Sequence, residues 1–453
     1  MTATILGVRA LLVAALAALA LIAAGCGGGG KAGVARGATL GADAAQLVPP
    51  DAAAFVSVDS NLDSAQWQRV DDLTKSFPAR AKLLDDIRGE LQKRGLSWKD
   101  DIAPALGAEV DLAVLGSGKN AEYVAFAKPD DVAKLRALAA KVSEGTDHYT
   151  VEQIGGWSVV ADSQELFDKV RSAQSGRSLA DVAAFNNAWS SVSGDALARA
   201  YVNGDALAAK PKLVKLAGKP DWFAARVAAD GDALRLEIAS HPLAATSAPK
   251  KQALLGDLPS GSALAVAFHG STDLLAQASS TKLGAKLPLK QLAPLLAGDG
   301  ALYVRPSGLI PDIAIELAPS DPQAALASAR TLLQKISGKL APLQLTAQLS
   351  GSKLVISDGP GAAAALHGGS KLVDDSTYRD AVKSAGVPAQ TTFLVYADVK
   401  ALTPLIQLAA QALGGGKGAD PSLGDNLQHI GTVVAWGSKE SGIARLHVWV
   451  QPQ

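Results

Sequence analysis

The sequence predicts an α+β protein made of two tandem, duplicated domains, each an antiparallel-rich sheet with helices packed mainly on one face. Two observations lead to this prediction. The chain repeats its own residue pattern in the same order, at an offset of roughly 190 to 210 residues. Each copy also contains apolar strands joined by tight glycine turns, with helical segments between the hairpins. Strands joined in this way are typical of antiparallel sheets.

The repeat is visible in short segments that recur along the chain. The matched segments are 48–51 with 258–261, 101–106 with 291–296, 122–127 with 312–317, 178–181 with 371–374, and 201–203 with 396–398. The offset is far longer than the 20–50-residue period of solenoid repeats, so the pattern predicts a duplicated domain. The first copy carries an additional charged helical stretch, at about residues 67–94, that the second mostly lacks.

The elements of the first copy follow from local patterns. Alternating apolar residues predict a strand at 55–58 and a hairpin of 109–115 with 122–127 across the glycine-containing segment 116–120. Apolar residues at helical spacing predict a helix at 130–142.

A second hairpin, 149–154 with 157–161, turns through Gly155 and Gly156. Asp162 and Glu165 have the spacing of a capping box, which predicts the start of the next helix, and Asp358 is expected to cap similarly. A helix near Phe185, a strand at 199–203 and a closing hairpin complete the unit. The second copy is expected to end with strands at 432–436 and 443–450.

The N-terminus has the pattern of a secretory signal peptide that ends at Cys26, the only cysteine. Arg9 precedes an apolar run and small residues, and this arrangement resembles the lipobox of bacterial lipoproteins, in which the cysteine receives a diacylglycerol. The alternatives are an ordinary cleaved signal peptide and an uncleaved anchor. About 15 apolar residues would span only about 23 Å, however, which is short of the ~30 Å hydrocarbon core. We therefore predict lipidation at Cys26, export, and attachment to the outer face of the cell membrane.

Composition and glycine content give the domain boundaries. The predicted segments are a signal peptide at 1–25, a lipidated cysteine and Gly/Ala-rich tether at 26–46, a first repeat at 47–240, a linker at 241–252, and a second repeat at 253–453.

The charge balance argues against nucleic-acid binding, and the cysteine content argues against stabilisation by disulfides. Lysine plus arginine and aspartate plus glutamate each number 43, so the chain lacks the basic surplus typical of nucleic-acid binding. An exported chain with one cysteine must rely on its apolar core, to which 48% hydrophobic residues contribute. A local basic cluster is either a solvated linker face or a contact with anionic lipid headgroups; its members are Lys210, Lys212, Lys215 and Lys219.

No catalytic, cofactor-binding or metal-binding constellation is predicted. The segment 116–120 lacks the first glycine and the Ser/Thr of a phosphate-binding loop. Ser279 and Lys282 match Ser-x-x-Lys, but the partner motifs of penicillin-binding enzymes do not follow. The histidines have no ligand spacing and are expected on surfaces or strand faces; they are His148, His241, His269, His367, His429 and His447.

Three segments carry a family resemblance: 48–52, 179–185 and 201–203. They resemble an uncharacterised family of bacterial secreted proteins and lipoproteins, domain of unknown function 3352. The resemblance implies export and an envelope location, and it brings no activity, ligand or site residue.

These observations favour a membrane-anchored envelope lipoprotein that acts as a non-catalytic binding or structural module. We expect an apolar or peptidic ligand between the two repeated domains. The alternatives are a protein-interaction scaffold of the cell envelope and an enzyme of unrecognised type with dispersed catalytic residues.

Overall fold

The structure is a computed structural model that describes residues 40–143, 148–208, 220–241, 248–270, 292–307, 311–336, 344–413 and 421–453. These residues form two compact units, one containing 40–208 with 220–241 and the other containing those from 248 onward. Both units combine helices with a large antiparallel sheet, so the predicted α+β class is confirmed.

The first unit has eight described strands in the antiparallel order β4-β5-β3-β2-β1-β6-β7-β8. The strands are β1 (Ala54–Asp59), β2 (Glu109–Leu115), β3 (Glu122–Ala127), β4 (Thr150–Ile154), β5 (Trp157–Ala161), β6 (Ala198–Asn203), β7 (Trp222–Asp230) and β8 (Ala233–His241). The helices are α1 (Ala65–Thr74), α2 (Pro78–Lys93), α3 (Ala103–Leu106), α4 (Val132–Val142), α5 (Gln164–Ser175), α6 (Ala183–Ser191) and α7 (Gly204–Ala208).

The second unit also has eight described strands, in the antiparallel order β12-β13-β11-β10-β9-β14-β15-β16. The strands are β9 (Leu264–His269), β10 (Asp299–Arg305), β11 (Asp312–Ala318), β12 (Leu345–Ser350), β13 (Lys353–Asp358), β14 (Phe393–Asp398), β15 (Ile430–Glu440) and β16 (Ile443–Pro452). The helices are α8 (Pro322–Ile336), α9 (Gly359–Ala365), α10 (Ser376–Ala385), α11 (Val399–Leu413) and α12 (Pro421–Leu427).

Local chemistry explains most element boundaries. Gly155 and Gly156 both have positive φ angles, 59° and 79°, which suit the two-residue turn that joins β4 to β5. Asp131 starts α4 by accepting hydrogen bonds from the backbone N–H groups of Ala133 and Lys134 at 2.8 and 3.2 Å.

Two predicted helix caps differ from the structure. The N-cap of α5 is Ser163, which makes no side-chain capping bond, so the capping box predicted at Asp162 is wrong. Asp358 does stand at the N-cap of α9, but its Oδ1 accepts from the backbone N–H of Gln344 at 2.8 Å. A capping box does occur at Ser178, which bonds with Asp181. At Asp358, a hydrogen bond from a residue 14 positions away therefore takes the place of a local capping bond.

The two faces of the first sheet are packed differently. Side chains alternate between the two sides of a sheet along each strand. We call the side to which Phe55 and Tyr201 point the aromatic face, and the opposite side, to which Val56 and Val110 point, the aliphatic face. On the aromatic face α6 packs Phe185 against Tyr201, with ring centroids 5.2 Å apart. On the aliphatic face α4 packs Leu135 into a cluster with Val110. Helices therefore lie on both faces, whereas the sequence predicted them mainly on one.

Candidate functional site

The predicted lipidation site, Cys26, lies outside the described residues, as do the basic cluster at 210–219 and Ser279 with Lys282. Lipidation therefore stays a prediction. The segment 116–120 forms the turn between the antiparallel strands β2 and β3, as its glycines predicted. In the described part of the chain, no helix is long and apolar enough to cross a membrane.

A row of polar residues crosses the aromatic face of the first unit. Each member is the direct cross-strand partner of the next, and the row runs Asp111, Ser57, Arg199, Arg226, Glu237. Asp111, Ser57 and Arg199 are buried, with exposed fractions of 0%, 0% and 3%. Polar residues of this kind are costly to bury, so the row is an unusual feature of the sheet.

The carboxyl groups of Glu109 and Asp111 lie on the same side of β2. The backbone N–H of Gly41 donates to Oε1 of Glu109 at 2.6 Å, and the Ser57 hydroxyl donates to the same oxygen at 3.3 Å. The two carboxyl oxygens of Asp111 have no hydrogen-bond partner among the described residues. Burial raises its pKa well above the ordinary value, and the neighbouring Glu109 raises it further. Burial also raises the pKa of Glu109.

Asp59 completes this acidic group, since it is the direct cross-strand partner of Glu109. Its carboxyl accepts hydrogen bonds from the Asn61 backbone N–H at 3.0 Å and from the Ser64 hydroxyl at 2.6 Å. Burial nevertheless raises the pKa of Asp59 to about 6, because the desolvation cost outweighs these two bonds.

Arg199 is a buried cation that pairs with Ser57 on the side opposite to Asp111. Its Nη2 donates to the carbonyl oxygen of Gly194 at 2.5 Å, and the guanidinium lies 5.7 Å from the ring centroid of Trp189. Desolvation, and then the charge of Arg226, lower the pKa of Arg199. Arg226 has its own carboxylate partner, Glu237, at 3.0 Å.

The second unit has different polar groups at the centre of its sheet. His269 is 4% exposed, and its Nδ1 lies 2.7 Å from Oδ1 of Asp299, its cross-strand partner. Glu316 is fully buried; its Oε1 lies 3.2 Å from Nζ of Lys353, which also contacts Asp257 at 2.7 Å. Burial raises the pKa of Glu316 even with Lys353 beside it.

Sequence reasoning missed these buried groups. His269 was expected on a surface or strand face, and it does lie on a strand, but it is buried and paired. The signal that could have found the pair is the repeat itself, which aligns His269 with Asp59 and Asp299 with Glu109. Polar residues at positions that the predicted repeat aligns suggest paired polar positions near the strand ends.

The chemistry that these groups can perform is limited. Within the described ranges, no three His, Cys, Asp or Glu side chains come together in a way that could hold a metal ion. The carboxyl of Glu109 contacts the hydroxyl of Ser57 and the backbone N–H of Gly41, and Nε2 of His269 lies 3.4 Å from the carbonyl oxygen of Lys250. These contacts position side chains and do not assemble a nucleophile with its base.

The aliphatic face offers a second candidate site. Across β1, β6, β7 and β8 it presents apolar side chains that are half-buried or, for Val227, 39% exposed. We call this set the aliphatic patch: Val56, Ala198, Ala200, Val202, Phe223, Ala225, Val227, Leu236 and Ile238. None of its members carries a charge or a hydrogen-bonding side chain.

Comparison with known proteins gives a partial family match. Residues 5–166 match a family model described as a protein of unknown function (DUF3352), which supports an uncharacterised domain of unknown function in that part of the chain. None of the curated proteins matches the chain. The solved structure of crystal form I of TP0453 is similar at 9% sequence identity, with 72% of this chain and 98% of that chain covered. Its TM-score is 0.25, which is too low to indicate that the two chains share a fold.

Proposed function

We propose that the chain is a membrane-anchored lipoprotein of the cell envelope that binds an apolar ligand without catalysing a reaction. The proposed anchor is a diacylglycerol on Cys26, with the folded units exported to the outer face of the cell membrane. The observation that carries the binding proposal is the aliphatic patch, which stays partly exposed on the face of the sheet.

The patch favours an acyl chain over a peptide. A peptide needs hydrogen-bond partners for its backbone, but the patch has no polar side chain, and the neighbouring strands already pair through their backbone groups. An acyl chain needs no polar partner and gains free energy from each methylene group that it buries. Contiguous exposed apolar surface is characteristic of ligand and interaction sites.

The corresponding face of the second unit supports the same role. Its strands β9, β14, β15 and β16 present half-buried apolar residues that include Val266, Val395, Ala435 and Val448. We therefore propose that the two units are tandem copies of one domain, each with its own apolar face.

The strand registers support the duplication. Residues that the repeat aligns also occupy equivalent positions in the sheet: Ser57 pairs with Asp111 and Arg199, and Ala267 pairs with Ala301 and Leu394. Hydrogen bonds between backbone groups distant in sequence recur as well. They run from Leu179 to Val48 and from Leu372 to Leu258, both at 2.8 Å, and from Asn203 to Ala53 and Asp398 to Ala263, at 2.9 and 2.8 Å.

Ligand binding is tested with a fluorescent fatty acid titrated into the full chain. The variant Val227→Lys places a charge in the patch and should weaken binding about tenfold, because acyl burial would then desolvate an ammonium group. The matched control is Val373→Lys, since Val373 has a similar exposed fraction of 37% but lies outside the patch. Equal affinity of both variants, or no saturable binding by the unaltered chain, would contradict the proposal.

The anchor is tested separately by membrane fractionation of cells that express the full chain. Cys26→Ala removes the only thiol, so it should abolish incorporation of labelled palmitate and release the protein from the membrane fraction. Cys26→Ser is the second variant, because it keeps the size of the side chain. Membrane retention of both variants would show that the N-terminal segment acts as a plain apolar anchor.

A further inference from the structure

The strand β12 forms one edge of the second unit's sheet. It pairs with β13 along one side and, within the described part of the chain, has no strand neighbour on the other. An edge of this kind presents backbone N–H and C=O groups that can pair with another strand.

This edge lacks the usual protection against pairing. None of the six residues of β12 is charged and none is proline. The corresponding edge of the first unit, β4, carries Glu152 at its centre, and this side chain forms an ion pair with Arg171. Antiparallel self-pairing of β4 about its centre would place two Glu152 carboxylates opposite each other, which is unfavourable.

We propose that two copies of the chain associate by antiparallel pairing of β12 with its counterpart, about a two-fold axis through Ala347. A two-fold axis perpendicular to the sheet keeps equivalent faces on the same side, so paired residues must share a face. Centring on Ala347 meets this condition. It places Leu345 opposite Leu349 of the partner subunit, and Thr346 opposite Gln348 of the partner subunit.

The packing beneath β12 favours a second copy over an unrelated peptide. Leu345, Ala347 and Leu349 point to the side where α8 packs against Leu354 and Ile356. Self-pairing would therefore extend one apolar layer beneath two symmetry-related α8 helices. On the opposite side, Thr346 and Gln348 are exposed and uncharged, so they accept their counterparts without repulsion.

A charge-exchange experiment tests both the dimer and its register. Sedimentation equilibrium of the full chain should show a monomer–dimer equilibrium. The double variant Thr346→Lys/Gln348→Lys places like charges opposite each other twice and should raise the dissociation constant about tenfold or more. The variant Thr346→Glu/Gln348→Lys places opposite charges at the same positions and should restore dimerisation. Both positions are exposed, so neither variant should disturb folding.

Gln153→Lys on the edge strand β4 is the matched control and should leave the dissociation constant unchanged, because that edge takes no part. A chain that stays monomeric at every concentration would overturn the proposal. So would a dimer that both double variants affect equally, or one that Gln153→Lys weakens as much as they do.

Discussion

The half-buried carboxyl of Asp59 should make the stability of the first unit depend on pH. Asp59→Asn removes the titrating group and keeps its local contacts. The amide oxygen can still accept from the Asn61 backbone N–H, and the amide nitrogen can donate to the Ser64 hydroxyl. The variant therefore isolates the cost of ionising a carboxyl group at this position.

The size and direction of the effect follow from the pKa. Burial raises the pKa of Asp59 from 3.8 to about 6, so between these values the folded state holds a proton that the unfolded state has lost. The free energy of unfolding should then fall as the pH rises through this window, since the folded chain binds more protons. At about 1.4 kcal/mol per pK unit the full effect is about 3 kcal/mol, which partial exposure reduces to about 2 kcal/mol.

Urea denaturation at a series of pH values measures this effect. Relative to Asp59→Asn, the unaltered chain should lose about 2 kcal/mol of stability between about pH 4 and pH 7. Asp63→Asn, which removes an exposed carboxylate four residues away, should follow the unaltered chain. If the curves for the unaltered chain and Asp59→Asn stay parallel across this range, the reasoning from burial is wrong.

Three further pairs of substitutions test the packing of each unit, and urea denaturation measures the free energy of unfolding of each variant. Lys353→Met leaves the buried Glu316 without its cation and should lower the free energy of unfolding by about 2–3 kcal/mol. Adding Glu316→Leu should recover most of this loss, and the absence of any recovery would contradict the role of the ion pair. Phe185→Ala should cost about 3–5 kcal/mol through the ring cluster with Phe55 and Tyr201, whereas Val227→Ala should cost less than about 1 kcal/mol. Gly107→Ala would place a Cβ 2.0 Å from the carbonyl oxygen of Lys128, whereas Gly95→Ala, also at positive φ, meets no atom within 4 Å. Gly95→Ala should cost about 1 kcal/mol for its positive φ. Gly107, at φ 70° and ψ −150°, lies in a backbone region that is essentially confined to glycine, so Gly107→Ala should cost more through both strain and clash, and a similar loss for the two variants would contradict this expectation.

Strand positions and hairpins were predictable because their signals are local. The predicted strands 109–115, 122–127 and 157–161 agree with β2, β3 and β5 at both ends. Alternating apolar residues and glycines at turns act over a few residues, so the sequence alone contains the information. The charged stretch at about residues 67–94 is helical as predicted, forming α1 and α2.

The buried polar groups were not predictable in the same way. Asp111 and Arg199 lie on strands 88 residues apart in the chain, and only their separate pairing with Ser57 brings them into one row. The cap predicted at Asp162 is wrong because the helix begins one residue later, with Ser163 as its N-cap. Burial and hydrogen bonding at these positions depend on neighbours that local periodicity does not specify.

The sequence by itself determined the α+β class, the hairpins and the single cysteine at position 26. Each of these depends on residue type and short spacing. The tertiary structure alone decided which strands are neighbours, and therefore which side chains share a face. That choice gathered the half-buried Asp59 and Glu109 beside the fully buried Asp111 and left the aliphatic patch partly exposed, because cross-strand pairing brings together residues that are distant in the chain.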